Sequence, residues 1–521
     1  MQQVFEARQC RLFFFLAAAM LGGMTILGFA PFRYYFLVPV FLGIFFLLLQ
    51  ASSGYAARVA YGWGLGFFTV HCYWIEHAIS VFGGVPHWLA IFITLLLPLY
   101  LALYPMLTVK LTELFQVPYS VRLICIFPLI WVVMDYLREH LFTGFGWGTL
   151  GYSQAVESPL IGYATIGGIL LVTYVLVLLS TLVFYAFVEA NLLKKLVSGL
   201  MIFLLLGGGY YLRRIDFTHF NGSTTPIGVV QLNVSQEVKF NLENRRQVLQ
   251  VVDKLMRKYP EVSILFFPET SIPIPWEALS EAERKGLMDA VHRYQTSLAL
   301  GLLRQVGVDY YNAIMGIDVL AKTEDLQTLP FYAKHHLVPF GEYKPLGLIS
   351  NYIFNWLGIS YGELTPGPTK QKVIPLAQQN IAFNICYEEG FGDELVELAS
   401  NSSLIVNATN MAWYGSSYAM DLQLQQGQAR AVELGRYVVR STNTGYSAII
   451  DNKGKIIQVL PRDQFGILIG EIKGYSGQTP YMLMGGSRTW ILWITFGLLL
   501  LFLYSQIEAK VVNRAKIYRR G

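Results

Sequence analysis

Three strand-like runs end in residues able to do covalent chemistry. The stretch "FNICYEE", residues 383–389, carries the apolar run Ile381–Ile385 into Cys386, then Tyr387, Glu388 and Glu389. In "LFFPETSIP" (265–273) an apolar strand closes on Pro268 and Glu269. In "YAKHHLVPFGEYKP" (332–345) Lys334 precedes two histidines, and Glu342 follows a Pro-Phe-Gly turn. A thiol becomes a competent nucleophile as its thiolate. A carboxylate can take the thiol proton, and a lysine can favour thiolate and stabilise an oxyanion. Glu269, Lys334 and Cys386 together would make a covalent acyl-transfer site. His335 or His336 as base, in a Cys–His arrangement, is the alternative, but no acidic orienting partner is evident in sequence.

Each of these residues also has an ordinary explanation. Glu269 alone reads equally well as a turn carboxylate, and Lys334 as a solvated loop lysine. Free cysteine is most often a small buried hydrophobe. That suits Cys72 and Cys125 in apolar spans and Cys10 at a membrane edge. Cys386 is different, because it is the single cysteine of a domain that the charge pattern places outside the cytoplasm. It has no partner there for a disulfide. The four cysteines show no CxxC and no His/Cys metal spacing, so neither metal nor cofactor is expected.

The elements that hold these residues follow from composition. Of 521 residues, 54% are hydrophobic and only 14% charged, which points to a membrane protein. The net charge of +5 comes without a basic stripe interleaved with aromatics, so nucleic acid is not an expected partner. Apolar runs of bilayer-crossing length fall at about 12–30, 35–50, 57–76, 87–109, 121–137, 159–187 and 193–212, with an eighth at 489–504. The first run has no small-residue cleavage site and reads as a retained span. With the N-terminus cytoplasmic, twelve Lys and Arg fall on inside segments (Arg8, Arg11, Arg58, Lys110, Arg122, Lys194, Lys195, Lys510, Arg514, Lys516, Arg519, Arg520). Five fall outside: Arg33, Arg138, Arg213, Arg214 and Arg488. Seven crossings then put the intervening globular domain outside the cytoplasm. The expected domains are 1–214 (seven spans), 215–482 (globular) and 483–521 (last span and basic tail).

The globular part alternates strands and helices. Strand-like runs are Ile227–Leu232, Ser263–Phe267, Ser297–Leu303, Ile381–Ile385, Ser403–Asn407, Tyr437–Ser441, Ser447–Ile450 and Gly466–Ile472. Most are continuously apolar, as in strands buried on both faces. An amphipathic helix is expected over Asn241–Tyr259, and a second from Ser280 to Tyr294 with Ser280 and Glu283 as a capping box. The pattern is that of a layered α/β domain.

The order P-E-T (268–270), Y-x-K-x-H-L-x-P-F-G-E (332–342) and N-I-C-Y-E-E (384–389) resembles the carbon–nitrogen hydrolase (nitrilase) superfamily. With seven spans before the domain and one after, the chain is similar to the membrane-bound apolipoprotein N-acyltransferase family within it. Further similar stretches are "VVQLNVSQEVKF" (229–240), "VNATNMAWYG" (406–415), "QARAVELGRYVVRSTNTGYSAIID" (428–451) and "GQTPY" (477–481). The resemblance implies an α-β-β-α sandwich beside the eight-span membrane domain. It implies Glu269 as general base, Lys334 as stabiliser of the tetrahedral intermediate and Cys386 as nucleophile. Glu342 would position the lysine and substrate, and Tyr387 and Glu388 would line the pocket. Phe240 stands where some relatives carry tryptophan, and Met411 where an aspartate is usual.

The implied reaction passes an acyl chain from a phospholipid, through a cysteine thioester, to the α-amino group of a diacylglyceryl-cysteine apolipoprotein. The implied setting is a monomer in the bacterial inner membrane with its catalytic domain on the periplasmic side. "SIPIPW" (271–276) and "NMAWYG" (410–415), with Trp413, place apolar and aromatic groups beside strand ends where lipid would enter. Two other readings are a membrane-tethered amidase or nitrilase, in which water resolves the thioester, and a transporter with an extracytoplasmic binding domain.

Overall fold

The computed structural model describes residues 2–239, 241–322, 326, 328–345, 347 and 363–518. The chain forms two compact units. One comprises Met1–Glu76, Trp88–Ile215 and Met484–Gly521; the other comprises Asp216–Leu483 together with His77–His87.

The first unit is helical. Six helices among the described residues are long and apolar enough to cross a membrane: Gln9–Gly28, His87–Glu113, Tyr119–Thr143, Pro159–Val188, Leu192–Leu212 and Arg488–Glu508. Two further expected crossings coincide with shorter helices, Leu37–Ala51 of 15 residues and Ala56–Cys72 of 17. At the α-helical rise these are about 22 and 26 Å long, against a hydrocarbon core of about 30 Å. Arg138 is fully buried in this unit. It pairs with Asp135 at 3.2 Å and donates to the carbonyls of Phe145 and Trp147 and to Thr149 Oγ1. One guanidinium thus satisfies two backbone carbonyls of the glycine-rich connection 143–148. Cys72 is buried, as expected, but Cys125 is exposed on its helix, so ordinary core packing does not describe it.

The second unit holds two sheets. The first contains β1 (Thr218–Gln231), β2 (Ile264–Phe266), β3 (Ile272–Pro275), β4 (Ser297–Val306), β5 (Asp309–Ile317), β6 (Phe331–Ala333) and β13 (Gly466–Gly477). Its order is β13-β1-β2-β4-β5-β6, with β3 paired to β4. The second contains β7 (Ile374–Leu376), β8 (Gln379–Ile385), β9 (Leu404–Thr409), β10 (Tyr437–Thr442), β11 (Ala448–Ile450) and β12 (Ile456–Val459), in the order β12-β11-β10-β9-β8-β7. The central strands of each sheet are parallel: β1-β2-β4 and β8-β9-β10.

Alternation along the strands explains the continuous apolar runs. Val229, Phe266, Phe383, Val406 and Val439 all point into one core between the sheets. Their neighbours Val230, Leu265 and Phe267 join a second core with helices Leu242–Lys258 and Glu281–Tyr294. Ala382, Ile405 and Val438 join a third with helices Gly392–Ser400 and Ala419–Leu434. Successive strand side chains point to opposite faces, so a strand buried on both must be apolar throughout. The layers are therefore helix, sheet, sheet, helix. The Ser280–Glu283 capping box forms as expected.

The segment His77–His87 belongs to this unit although composition groups it with the membrane spans. The Phe82 ring meets the Trp413 ring edge-on at 4.9 Å. Gly415 has φ +55°, and a Cβ there would lie 3.0 Å from His77 Nε2. The backbone conformation thus favours glycine at that turn, and the His77 ring leaves a side chain little room.

Candidate active site

The C-terminal ends of β2 and β8 and the segment after β6 converge. β2 runs through Phe267 and Pro268 into Glu269, which is buried. The next residue, Thr270, has φ +44°, an unfavourable conformation for a β-branched side chain. Gly301 on β4 makes room for this turn, since a Cβ there would fall 2.1 Å from the Pro268 carbonyl oxygen. β8 ends at Ile385, and Cys386 begins a 3₁₀ turn with φ +53°. Both the candidate base and the candidate nucleophile therefore sit at backbone turns that ordinary residues avoid, as is common where a site stores strain. Lys334 follows β6 directly, and its N–H donates to the Asn312 carbonyl at 2.8 Å.

Three of the expected residues share one polar cluster. Lys334 Nζ lies 2.7 Å from Glu342 Oε2 and 3.5 Å from Glu269 Oε1. Asn312 Nδ2, on β5, donates to Glu269 Oε1 at 2.7 Å and to Glu342 Oε1 at 2.9 Å. Glu269 Oε2 is buried with no hydrogen-bond partner among the described residues. One carboxylate oxygen is thus occupied and the other is available to accept a proton.

Cys386 is buried in the same electrostatic field. Burial pushes its thiol up to about 12, with Glu269 adding to the rise, while Lys334 and the Thr409 hydroxyl pull against it. Burial opposes the Lys334 ammonium, but Glu342 and then Glu269 outweigh it and hold the group well above the ordinary lysine range. The resting arrangement is a neutral thiol beside a charged lysine, so thiolate must form as attack proceeds. A buried base in contact with that lysine fits this requirement.

The supporting residues divide by what they touch. Glu388 is fully buried and all its contacts are structural: it accepts from the N–H groups of His335 (2.6 Å), His336 (3.1 Å) and Ile385 (2.6 Å), and from the Tyr332 hydroxyl. It therefore fastens the Lys334 segment to the Cys386 turn. Glu389 pairs with Arg440, which holds Gln423, whose Nε2 donates to the Cys386 carbonyl at 2.8 Å. Tyr387 packs its ring on Phe391 and against His336. Trp413 is half-buried at the turn after β9. Phe240 lies outside the described residues.

Two expectations change. Trp276 of "SIPIPW" is wholly buried in the helix-facing core and donates to the Leu326 carbonyl, so it is a packing residue and not a lipid-facing one. The two histidines are set apart from the thiol: neither is among the groups that shift Cys386, although His336 Nδ1 does meet an acidic partner, Glu394, and His335 Nδ1 meets the Gly367 carbonyl. Four residues near the reacting groups had no role in the chemistry assigned from sequence: Asn312, Lys239 within "VVQLNVSQEVKF", and Thr409 and Tyr414 within "VNATNMAWYG". Tyr414 is identified by its field: burial raises its hydroxyl first, and Cys386 next. A lone asparagine within "YYNAIMG" was the available signal for Asn312.

Comparison with known proteins covers both units. Residues 21–182 match the family described as apolipoprotein N-acyltransferase N-terminal domain, and residues 227–481 match carbon-nitrogen hydrolase. A protein of Neisseria meningitidis serogroup A named apolipoprotein N-acyltransferase is 39% identical, over 93% of this chain and 95% of its own length. One of the same name from Chromobacterium violaceum is 36% identical, over 90% of each. Among solved structures, Saccharomyces cerevisiae Nit3, a member of branch 10 of the nitrilase superfamily, aligns with a TM-score of 0.36 and 16% identity, over 48% of this chain and 90% of its own.

Proposed function

The chain belongs to the apolipoprotein N-acyltransferase family, and from that membership we propose that it completes lipoprotein maturation by a two-step acyl transfer through Cys386. In the first step Cys386 Sγ attacks an acyl ester of a phospholipid. The C–S bond forms, the ester C–O bond breaks, and the thiol proton passes through Glu269 to the departing glycerol oxygen. In the second, the α-amino group of a diacylglyceryl-cysteine apolipoprotein attacks the thioester. The C–N bond forms, the C–S bond breaks, and the amine proton returns through Glu269 to sulfur. Lys334 stabilises the oxyanion in both steps, and the shared intermediate gives ping-pong kinetics.

The observation that carries this reading is the buried Oε2 of Glu269, without a partner among the described residues, beside the Lys334 ammonium and electrostatically coupled to the Cys386 thiol. A nucleophile that stays neutral until a substrate arrives is protected from idle oxidation. A dry pocket also protects a thioester from water, which favours amine over hydrolytic resolution. The eight helices at the eight apolar runs support an arrangement of eight crossings with residues 216–483 on the periplasmic side. We read segments 1–214, 215–482 and 483–521 as membrane domain, catalytic domain and closing helix with tail, with residues 77–87 of the first folding as part of the catalytic unit.

Intact-mass spectrometry tests it. Full-length protein incubated with phospholipid gains one acyl mass, removable by hydroxylamine and missing from C386A. A folded wild type that acquires no adduct overturns the mechanism. Transfer of that acyl group to a diacylglyceryl peptide, but not to water or an unmodified peptide, separates the acyltransferase from an amidase.

A further inference from the structure

The base and the nucleophile stand on different sheets: Glu269 follows β2 in the first, and Cys386 follows β8 in the second. Something must hold the two ends in register, and the loop after β1 is built to do so. Asn233 and Val234 are tied to Asn443 of the second sheet's β10 end: Asn233 N–H donates to its carbonyl at 2.8 Å, Val234 N–H donates to its Oδ1 at 3.0 Å, and Asn443 Nδ2 donates to the Val234 carbonyl at 2.8 Å. Gln236 is tied to the end of β9, where Asn410 Nδ2 donates to its Oε1 at 2.8 Å. Asn443 Nδ2 also donates to Asn410 Oδ1 at 2.9 Å, so the two anchors are themselves joined.

From this anchored loop Lys239 reaches back to the first sheet. Its side chain is buried, and Nζ donates to Thr270 Oγ1 at 2.8 Å and to the Glu269 carbonyl at 3.2 Å. These are the base itself and the residue held at φ +44° beside it. We infer that Lys239 is a positioning residue: its amine clamps the Glu269–Thr270 turn to a loop fastened to the nucleophile's sheet, and so sets the distance from general base to thiol. The inference rests on the mechanism proposed above. The groups facing Lys239 fit it. Burial lowers its ammonium to about 8, opposed by Glu269 and Cys386, the two groups whose spacing it would control.

Single-turnover acylation of full-length enzyme in phospholipid micelles tests the clamp, with adduct on Cys386 followed by intact mass. K239M is expected to lower the acylation rate constant about 100-fold, the scale of a catalytic group displaced by about 1 Å. The phospholipid KM should stay within about threefold, because the lost contact is not to lipid. T270V removes only the hydroxyl acceptor and should slow acylation in the same sense. The double variant K239M/T270V should be no slower than K239M, since both changes break the same bond. An unchanged rate constant in K239M, or a loss confined to KM, overturns the clamp, as do losses that multiply in the double variant. If K239M fails to fold, T270V alone decides: a slowed rate constant supports the clamp and a wild-type rate constant overturns it. Absence of any adduct on the wild type overturns the two-step mechanism, and this inference with it.

Discussion

Glu342 Oε2 lies 2.7 Å from Lys334 Nζ, closer than any oxygen of Glu269. The lysine is therefore held by a carboxylate other than the candidate base, and Glu269 keeps Oε2 without a partner among the described residues. Removing that partner should let the ammonium settle fully on Glu269 and quench it. E342Q is expected to slow acyl-enzyme formation by about 100-fold or more, the lower end of the roughly 10²–10⁴-fold scale of a lost general-base contribution, in a protein that remains folded. Single-turnover intact mass checks this, and a wild-type rate would show that Lys334 needs no second carboxylate.

The Cys386 thiol should respond to Glu269 in two opposite ways. Because Glu269 raises the thiol, E269Q should make Cys386 alkylate faster with iodoacetamide near neutral pH while abolishing acyl transfer. Peptide-level mass spectrometry is needed, since Cys10 and Cys125 are exposed and will alkylate as well. If alkylation and acylation fall together, Glu269 supports the thiol by structure alone.

The same shift carries a stability consequence. Burial raises the thiol from its ordinary value of 9.0 to about 12, so folding favours the protonated form. That contribution is whole below about pH 9 and is lost as pH rises through about 12, where the unfolded chain would bind fewer protons than the folded one. C386A should therefore gain stability relative to wild type only above about pH 9. Thermal melts across pH 7–11 measure it, and parallel curves for the two proteins would contradict the shift.

Glu388 should matter chiefly to folding. Its removal orphans the buried Ile385 N–H and Tyr332 hydroxyl and the half-buried N–H groups of His335 and His336. Each orphaned donor costs about 1–3 kcal/mol, so E388A should lower the melting temperature sharply or block accumulation of the protein. E388Q keeps one carbonyl oxygen and should fall between. An E388A protein with wild-type melting and no activity would instead place Glu388 in direct contact with substrate.

Gly301 makes a sterically defined test of the base. A Cβ at this position would stand 2.1 Å from the Pro268 carbonyl oxygen and 2.9 Å from the Glu269 Cα. G301A should cost about 1–3 kcal/mol of stability by overpacking and should also slow acylation, because relief requires moving the Glu269 turn. Melting and acylation rate measured on one preparation separate the two effects; unaltered acylation would mean that β4 yields and the turn does not.

Much of this was legible in the chain because the strands are buried on two sides. Runs such as Ser263–Phe267 and Ser403–Asn407 are apolar without alternation, and each ends where polar residues resume. Glu269, Lys334 and Cys386 stand at such ends. β5 was not legible: "DYYNAIMGI" begins polar and interrupts its apolar half with Asn312, the residue that bridges both carboxylates. Lys239 was hidden for a related reason. It lies in a charged four-residue turn, Gln236–Lys239, whose burial depends on asparagines about 170 and 200 residues away in sequence. Trp276 misled because its indole looks identical in sequence whether it faces lipid or the core. Only the Leu326 carbonyl, brought to it by the fold, reveals which.

The chain passes between its two compact units after Glu76, after His87, after Ile215 and after Leu483. Cutting at the last two alone would release a water-soluble-looking fragment that lacks part of itself. The missing piece includes the ring packed on Trp413 and the histidine over Gly415, next to the strand that carries Thr409. An excised 216–483 polypeptide would thus have an open wound at the edge of its chemistry. Residues 77–87 are thus tethered at both ends to helices of the first unit while folding as part of the second, so no single excision along the chain separates the two units intact.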